Sequence, residues 1–156
     1  MEALERLDSL ENMSVLDMGT GTGILAIAAI FLGARNAVAF DIDGDAVRTC
    51  HRNASLNQVH ERLTVFRGNL DALSTASRFD LILANIHGDI IINWAHRLAD
   101  AVREGGNLIL SGLDYTDSRP VKVAMNEHRL EEISVAFLEK FVTQVWRRPG
   151  RDRKGL

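Results

Sequence analysis

Three glycines spaced two apart open the chemical reading of this chain. They follow an aspartate in Asp17-Met18-Gly19-Thr20-Gly21-Thr22-Gly23. Apolar Val15-Leu16 precedes them and an apolar run over 24–32 follows, so the glycines lie between a strand and a helix. Glycines there let the backbone turn sharply and come close to a ligand. The spacing narrows the ligand. A dinucleotide fingerprint starting at Gly19 needs its third glycine at position 24, which is Ile24, and no GK[ST] phosphate loop occurs. The loop also carries no lysine or arginine, which suits a cationic, phosphate-free ligand better than a pyrophosphate. Asp41 ends the next apolar run, about 20 residues beyond the loop, where an acidic side chain can hold ribose hydroxyls. Asp43 stands at the start of the following helical stretch and reads as its N-cap.

Other residues with chemical potential read more plainly. His87, with an unperturbed pKa of ~6.5, is a conceivable general base, but beside Gly88 and Asp89 it reads first as a polar residue at a helix start. His51, His60, His96 and His128 are scattered and form no ligand set, and the single Cys50 has no partner for a disulfide or zinc site, so no metal is expected. Trp94 and Trp146 lie on apolar stripes and read as packing residues. Arg147, Arg148, Arg151, Arg153 and Lys154 form a basic run that reads as a solvated tail.

The elements that must position these residues alternate. Strands are expected at 15–18, 37–40, 63–66, 79–84 and 108–110. Helices are expected at 24–32, apolar on every face and therefore buried, along Ala46, Val47, Cys50 and Ala54, along Ile91, Trp94, Ala95, Leu98 and Val102, and over 118–127 with Pro120 in the first turn. Gly105-Gly106 should separate the third helix from the fifth strand. Residues 130–137 and 141–146 are joined by Leu138-Glu139-Lys140, too short for a parallel crossover, and must form an antiparallel hairpin. The result is an α/β fold, a mostly parallel sheet covered on both faces and ending in one antiparallel hairpin strand.

Composition agrees. The 156 residues suit a single domain with its own core, and a net charge of −3 gives no general attraction to nucleic acid or anionic membrane. No apolar run nears the roughly 18 residues of a membrane span, and acidic, helical Met1-Glu2-Ala3-Leu4-Glu5-Arg6 is unlike a signal peptide. One cysteine fits a reducing, cytoplasmic setting.

Residues 15–29, with their Asp-x-Gly-x-Gly-x-Gly loop, resemble the first motif of class I S-adenosylmethionine-dependent methyltransferases, and are most similar to the PrmA-type enzymes that methylate a ribosomal protein. Phe40-Asp41-Ile42-Asp43, Phe79-Asp80-Leu81-Ile82-Leu83-Ala84-Asn85-Ile86 and Gly105-Gly106-Asn107-Leu108-Ile109-Leu110-Ser111-Gly112-Leu113 extend the similarity over most of 15–148. The resemblance implies a Rossmann-like methyltransferase fold with a seven-stranded sheet. It implies one methyltransferase domain over 1–149, without the family's substrate domain and the first part of its N-terminal helix segment, and a basic tail at 150–156.

It also implies roles. Asp17, Gly19, Thr20, Gly21 and Gly23 would surround the amino-acid part of S-adenosylmethionine, Asp41 and Ile42 would hold its ribose side, and Asn69 would stand near the adenine where many relatives have aspartate. Asn85 would sit close to the methyl group. Its side-chain oxygen and the backbone carbonyl of Ile86 could accept hydrogens from an attacking amine and aim the lone pair. The expected products are S-adenosylhomocysteine and a methylated protein amine, on a ribosomal protein by the resemblance, with neither membrane nor nucleic acid as partner. Methylation of a small molecule or nucleic acid, and a cofactor-binding module without its own activity, stay open as alternatives.

Overall fold

The computed structural model describes residues 9–150. The parts of the expected N-terminal helix before Ser9 and of the basic tail after Gly150 lie outside the described residues. Seven strands, β1 (Ser14–Met18), β2 (Asn36–Asp41), β3 (Leu63–Arg67), β4 (Phe79–Asn85), β5 (Val102–Asp114), β6 (Glu131–Leu138) and β7 (Phe141–Arg147), form one sheet in the order β3-β2-β1-β4-β5-β7-β6. The first five run parallel, and β7 is antiparallel to both β5 and β6. Four helices, α1 (Ile24–Phe31), α2 (Gly44–Leu56), α3 (Gly88–Ala101) and α4 (Ser118–Glu127), cover the sheet.

The strands bury their side chains alternately in two cores. On one face Leu16, Met18, Ile82, Leu108 and Trp146 meet Ile91 and Leu98 of α3 and Val121 and Met125 of α4. On the other Val15, Leu81, Leu83 and Ile109 meet Ile27 and Ile30 of α1 and Cys50 and Ala54 of α2. A central strand buried on both sides has no use for alternation, which is why β1 reads as a near-continuous apolar run. Chain order reverses beside β1: β2 and β3 lie to one side, β4 and β5 to the other. Ligands of open α/β sheets bind in the crevice at the carboxyl ends of the strands at such a reversal.

Three expectations change. α1 is not buried all round: Ile24 is 63% and Phe31 64% exposed, because a helix lying in one layer on a sheet buries only the stripe that faces it, here Ala26, Ile27, Ala29 and Ile30. Gly105-Gly106 do not separate helix from strand. α3 ends at Ala101, and β5 starts at Val102 and continues through both glycines, which exchange backbone hydrogen bonds with Arg148 (Gly105 N to Arg148 O 2.7 Å, Arg148 N to Gly106 O 2.9 Å). Arg148 also leaves the expected solvated tail. Its Nη1 donates to the carbonyls of Ala99 (2.6 Å) and Val102 (2.9 Å), closing the end of α3 where backbone acceptors lack helical partners.

Candidate functional site

The glycine loop is held by backbone and by two carboxylates. The N–H groups of Gly19 and Thr20 both donate to the Phe40 carbonyl at 3.0 Å, tying the end of β1 to the end of β2. Gly19, Gly21 and Gly23 have φ of 68°, 54° and 84°, the left-handed region that only glycine enters freely. A Cβ on Gly21 would meet nothing within 4 Å, so its backbone faces open space. A Cβ on Gly23 would stand 2.5 Å from Cys50 Sγ, and one on Gly19 equally close to Ile86 Cγ2. Cys50 is fully buried, and burial raises its thiol above the ordinary range.

Asp17 is the inner brace. It is 1% exposed, and its Oδ2 accepts from Thr20 Oγ1 (2.7 Å) and from the Ala26 N–H (3.2 Å), one of the orphan donors in the first turn of α1. Burial pushes its carboxyl up to about 6, against the pull of those two donors and with a further push from Asp41. Its second oxygen accepts no hydrogen bond from the described residues. Thr20 is buried with it and points inward.

Asp41 is the outer brace. Its Oδ2 accepts from the Gly21 N–H (3.0 Å) and its Oδ1 from the Asp43 N–H (3.0 Å), so one half-buried carboxylate joins the loop to the end of β2. Ile42 beside it is 72% exposed. Asp43 caps α2 as expected, accepting from the Asp45 N–H at 2.9 Å. Asn69 caps the short 3-10 turn Leu70–Ala72 with Oδ1 on the Asp71 N–H (2.9 Å), which leaves its Nδ2 donors without a bond among the described residues.

Across the crevice, Asn85 ends β4 beside Ser111 of β5 and is exposed, while Ile86 is half-buried on Gly19. His87 occupies the N-cap position of α3, is exposed, and its ring makes no hydrogen bond to Asn85, to Ile86 or to the helix. It is a helix-start residue. The four other histidines are exposed, and no three of His, Cys, Asp and Glu converge as metal ligands among the described residues.

The fold therefore gathers Asn69, Asp41, the glycine loop with Asp17 behind it, and Asn85-Ile86 along the carboxyl ends of four adjacent strands. Two further contributors escaped sequence reading. Asp117 packs so closely on Gly88 that a Cβ there would lie 2.6 Å from its own, setting a carboxylate beside the start of α3. Gly112, on β5, abuts the Asn85 carboxamide. Both contacts join residues far apart in the chain, and no local pattern marks them.

Comparison with known proteins places this geometry. The sequence model of the family described as ribosomal protein L11 methyltransferase (PrmA) matches residues 1–148. A ribosomal protein L11 methyltransferase of Bacillus pumilus is 37% identical over 144 residues, covering 92% of this chain and 45% of the relative. One of Geobacter sulfurreducens is 46% identical over 113 residues, covering 72% and 36%. The crystal structure of a ribosomal protein L11 methylase from Lactobacillus delbrueckii subsp. bulgaricus superposes with a TM-score of 0.89 at 30% identity, over 96% of this chain and 76% of that one. The chain thus spans less than half the length of these two curated relatives.

Proposed function

The chain belongs to the ribosomal protein L11 methyltransferase family, and from that premise we propose that it binds S-adenosylmethionine across the ends of β3, β2, β1 and β4 and transfers its methyl group to an amine nitrogen of a ribosomal protein, L11 by the relatives' name. The observation that carries the reading is the placing of Asp41 and Asn85 on opposite sides of the glycine loop, at the reversal of strand order. Three strand steps of roughly 4.8 Å separate the Asn69 end from the Asn85 end, a span of about 14 Å that suits a nucleoside with an amino-acid tail.

The residues fit that ligand. The open space beside Gly21 leaves room for the amino-acid tail, and the unbonded second oxygen of Asp17 suits its ammonium. Each Asp41 oxygen has one backbone donor and retains a lone pair for a ribose hydroxyl. Asn69 would meet the base through its Nδ2 donors. No cationic side chain lines the loop to repel a sulfonium.

When bound, S-adenosylmethionine supplies a methyl group on a positively charged sulfur, an already activated leaving group. The chain's own task is then alignment and exclusion of water. Asn85 Oδ1 and the Ile86 carbonyl accept N–H hydrogens from the incoming amine and turn its lone pair toward the loop. The exposed, unbonded His87 has no partner that would orient it as a base, so the amine's proton leaves to solvent. A ribosomal acceptor sets the reaction in the cytoplasm, and no helix of the described residues is long and apolar enough to cross a membrane. The net charge of −3 argues for a protein acceptor over nucleic acid.

Thermal-shift titration tests the cofactor: S-adenosylmethionine and S-adenosylhomocysteine should raise the midpoint and NAD should not, and a response to NAD alone would overturn the reading. Labelled-methyl transfer onto purified L11 tests the acceptor. Asn85→Ala should bind cofactor within about twofold of the parent and lose at least tenfold in turnover, the order expected for one positioning contact. Parental turnover in that variant would remove Asn85 from the chemistry.

A further inference from the structure

Asn85 and Ile86, at the end of β4, lie between two glycines, Gly19 just past the end of β1 and Gly112 on β5. On the β1 side, the Ile86 side chain occupies the notch left by Gly19. On the β5 side, a Cβ on Gly112 would overlap Asn85 Oδ1 outright and stand 3.5 Å from both its Cγ and its carbonyl carbon. Gly112 has φ of 74° and lies within the register irregularity between Leu110 and Leu113, one residue past Ser111, the strand partner of Asn85. The Asn85 carboxamide makes no hydrogen bond among the described residues. The space left by the missing Gly112 side chain is where its oxygen lies.

We propose that Gly112 is a positioning residue for Asn85, its missing side chain forming the socket in which the carboxamide oxygen rests. The inference rests on the reading of Asn85 as the amine-orienting group. The irregularity in β5 turns the backbone so that no side chain projects from residue 112 into the space Asn85 Oδ1 needs. The atom in conflict with an added Cβ is the far end of a flexible side chain. The clash in Gly112→Ala is therefore relieved most easily by rotating Asn85, leaving the β4–β5 pairing and the Asp41–Gly21 bond in place, while the strain of a side chain at positive φ remains. Gly105 serves as control, since it shares the positive φ, at 79°, but a Cβ there meets nothing within 4 Å.

The test combines a spectroscopic and a kinetic arm. In 15N-labelled protein the side-chain amide resonances of Asn85, assigned by their loss in Asn85→Ala, should shift strongly in Gly112→Ala and stay in place in Gly105→Ala. Unchanged Asn85 resonances in Gly112→Ala would overturn the proposal. Cofactor affinity of Gly112→Ala should stay within about twofold of the parent while turnover on L11 falls at least tenfold, and Gly112→Ala added to Asn85→Ala should cost no further turnover. An equal loss in both backgrounds would show that Gly112 acts on the strand rather than through Asn85. If Asn85→Ala itself turns over like the parent, the functional reading of Asn85 fails instead, whatever the resonances do.

Discussion

At the scale of single residues, the most informative side chain is Asp17. The sequence motif places it beside a ligand, and the pleat of β1 turns its carboxylate inward onto Thr20 and Ala26. Its spacing from the glycines is visible in the sequence, but inward or outward orientation is settled only by which face each β1 residue presents, and a strand buried on both faces does not reveal that. The consequence is a pH dependence. Burial raises the carboxyl from 3.8 to about 6, so the folded protein keeps a proton that the unfolded chain has lost. Asp17 thus favours folding most below pH 3.8, and this contribution is lost as pH rises to about 6. About two units at 1.36 kcal/mol each give about 3 kcal/mol at neutral pH. Asp17→Asn keeps an oxygen for both donors and carries no charge. Its stability relative to the parent should improve by about 2 kcal/mol between pH 4 and pH 7 in urea unfolding. A difference that does not vary with pH would show the carboxylate to be better solvated than its burial implies. Asp43 was legible as a cap because it stands where the helical period begins, and Asp41 was singled out by its distance from the glycine loop at the end of an apolar run, whereas Asn85 was singled out only by the family resemblance.

At the scale of elements, the ladder of strands and helices was legible from periodicity, including α4 over 118–127 and the closing hairpin. What was not legible was how the elements end. A basic run at 147–154 looks solvated in sequence, yet Arg148 folds back onto the carbonyls of α3 because those acceptors are orphaned where the helix passes directly into β5. Charge-assisted hydrogen bonds of this kind contribute about 1.5–3 kcal/mol. Arg148→Met should lower the unfolding free energy by that amount, read as a lower urea midpoint with little change in the slope, while Arg147→Met, on the exposed neighbour, should stay within about 0.5 kcal/mol. Equal effects of the two substitutions would mean that net charge, not the helix end, is what is felt. The exposed face of α1 has the same lesson: mean apolarity announces burial, but the single layer of helix leaves Ile24 and Phe31 outward.

At the scale of the whole molecule, the sheet order is what makes a site out of these parts, and no local pattern states it. Residues 14–67 build β1, β2 and β3, and residues 79–147 build the rest. The two stretches share one line of strand pairing, β1 with β4, where Val15, Leu16, Asp17 and Met18 face Leu81, Ile82, Leu83 and Ala84. Both cores are filled from both stretches. Apart from Asn69, which lies between the two, the residues proposed for the cofactor belong to the first stretch, and Asn85, Ile86 and Gly112 to the second. On the proposed reading, the groups that meet methyl donor and acceptor come from consecutive stretches of the described residues and meet at a seam, the β1–β4 pairing. Such a chain is divisible. Cut between exposed Thr75 and Ala76, its two fragments should each fail to fold alone, co-purify when expressed together, and regain a cofactor-dependent rise in melting temperature. Fragments that ignore each other would mean the seam needs covalent continuity. Fragments that reassemble would make the pair a ligand-responsive complementation system, in which methyl-donor concentration sets how much of the two halves is joined.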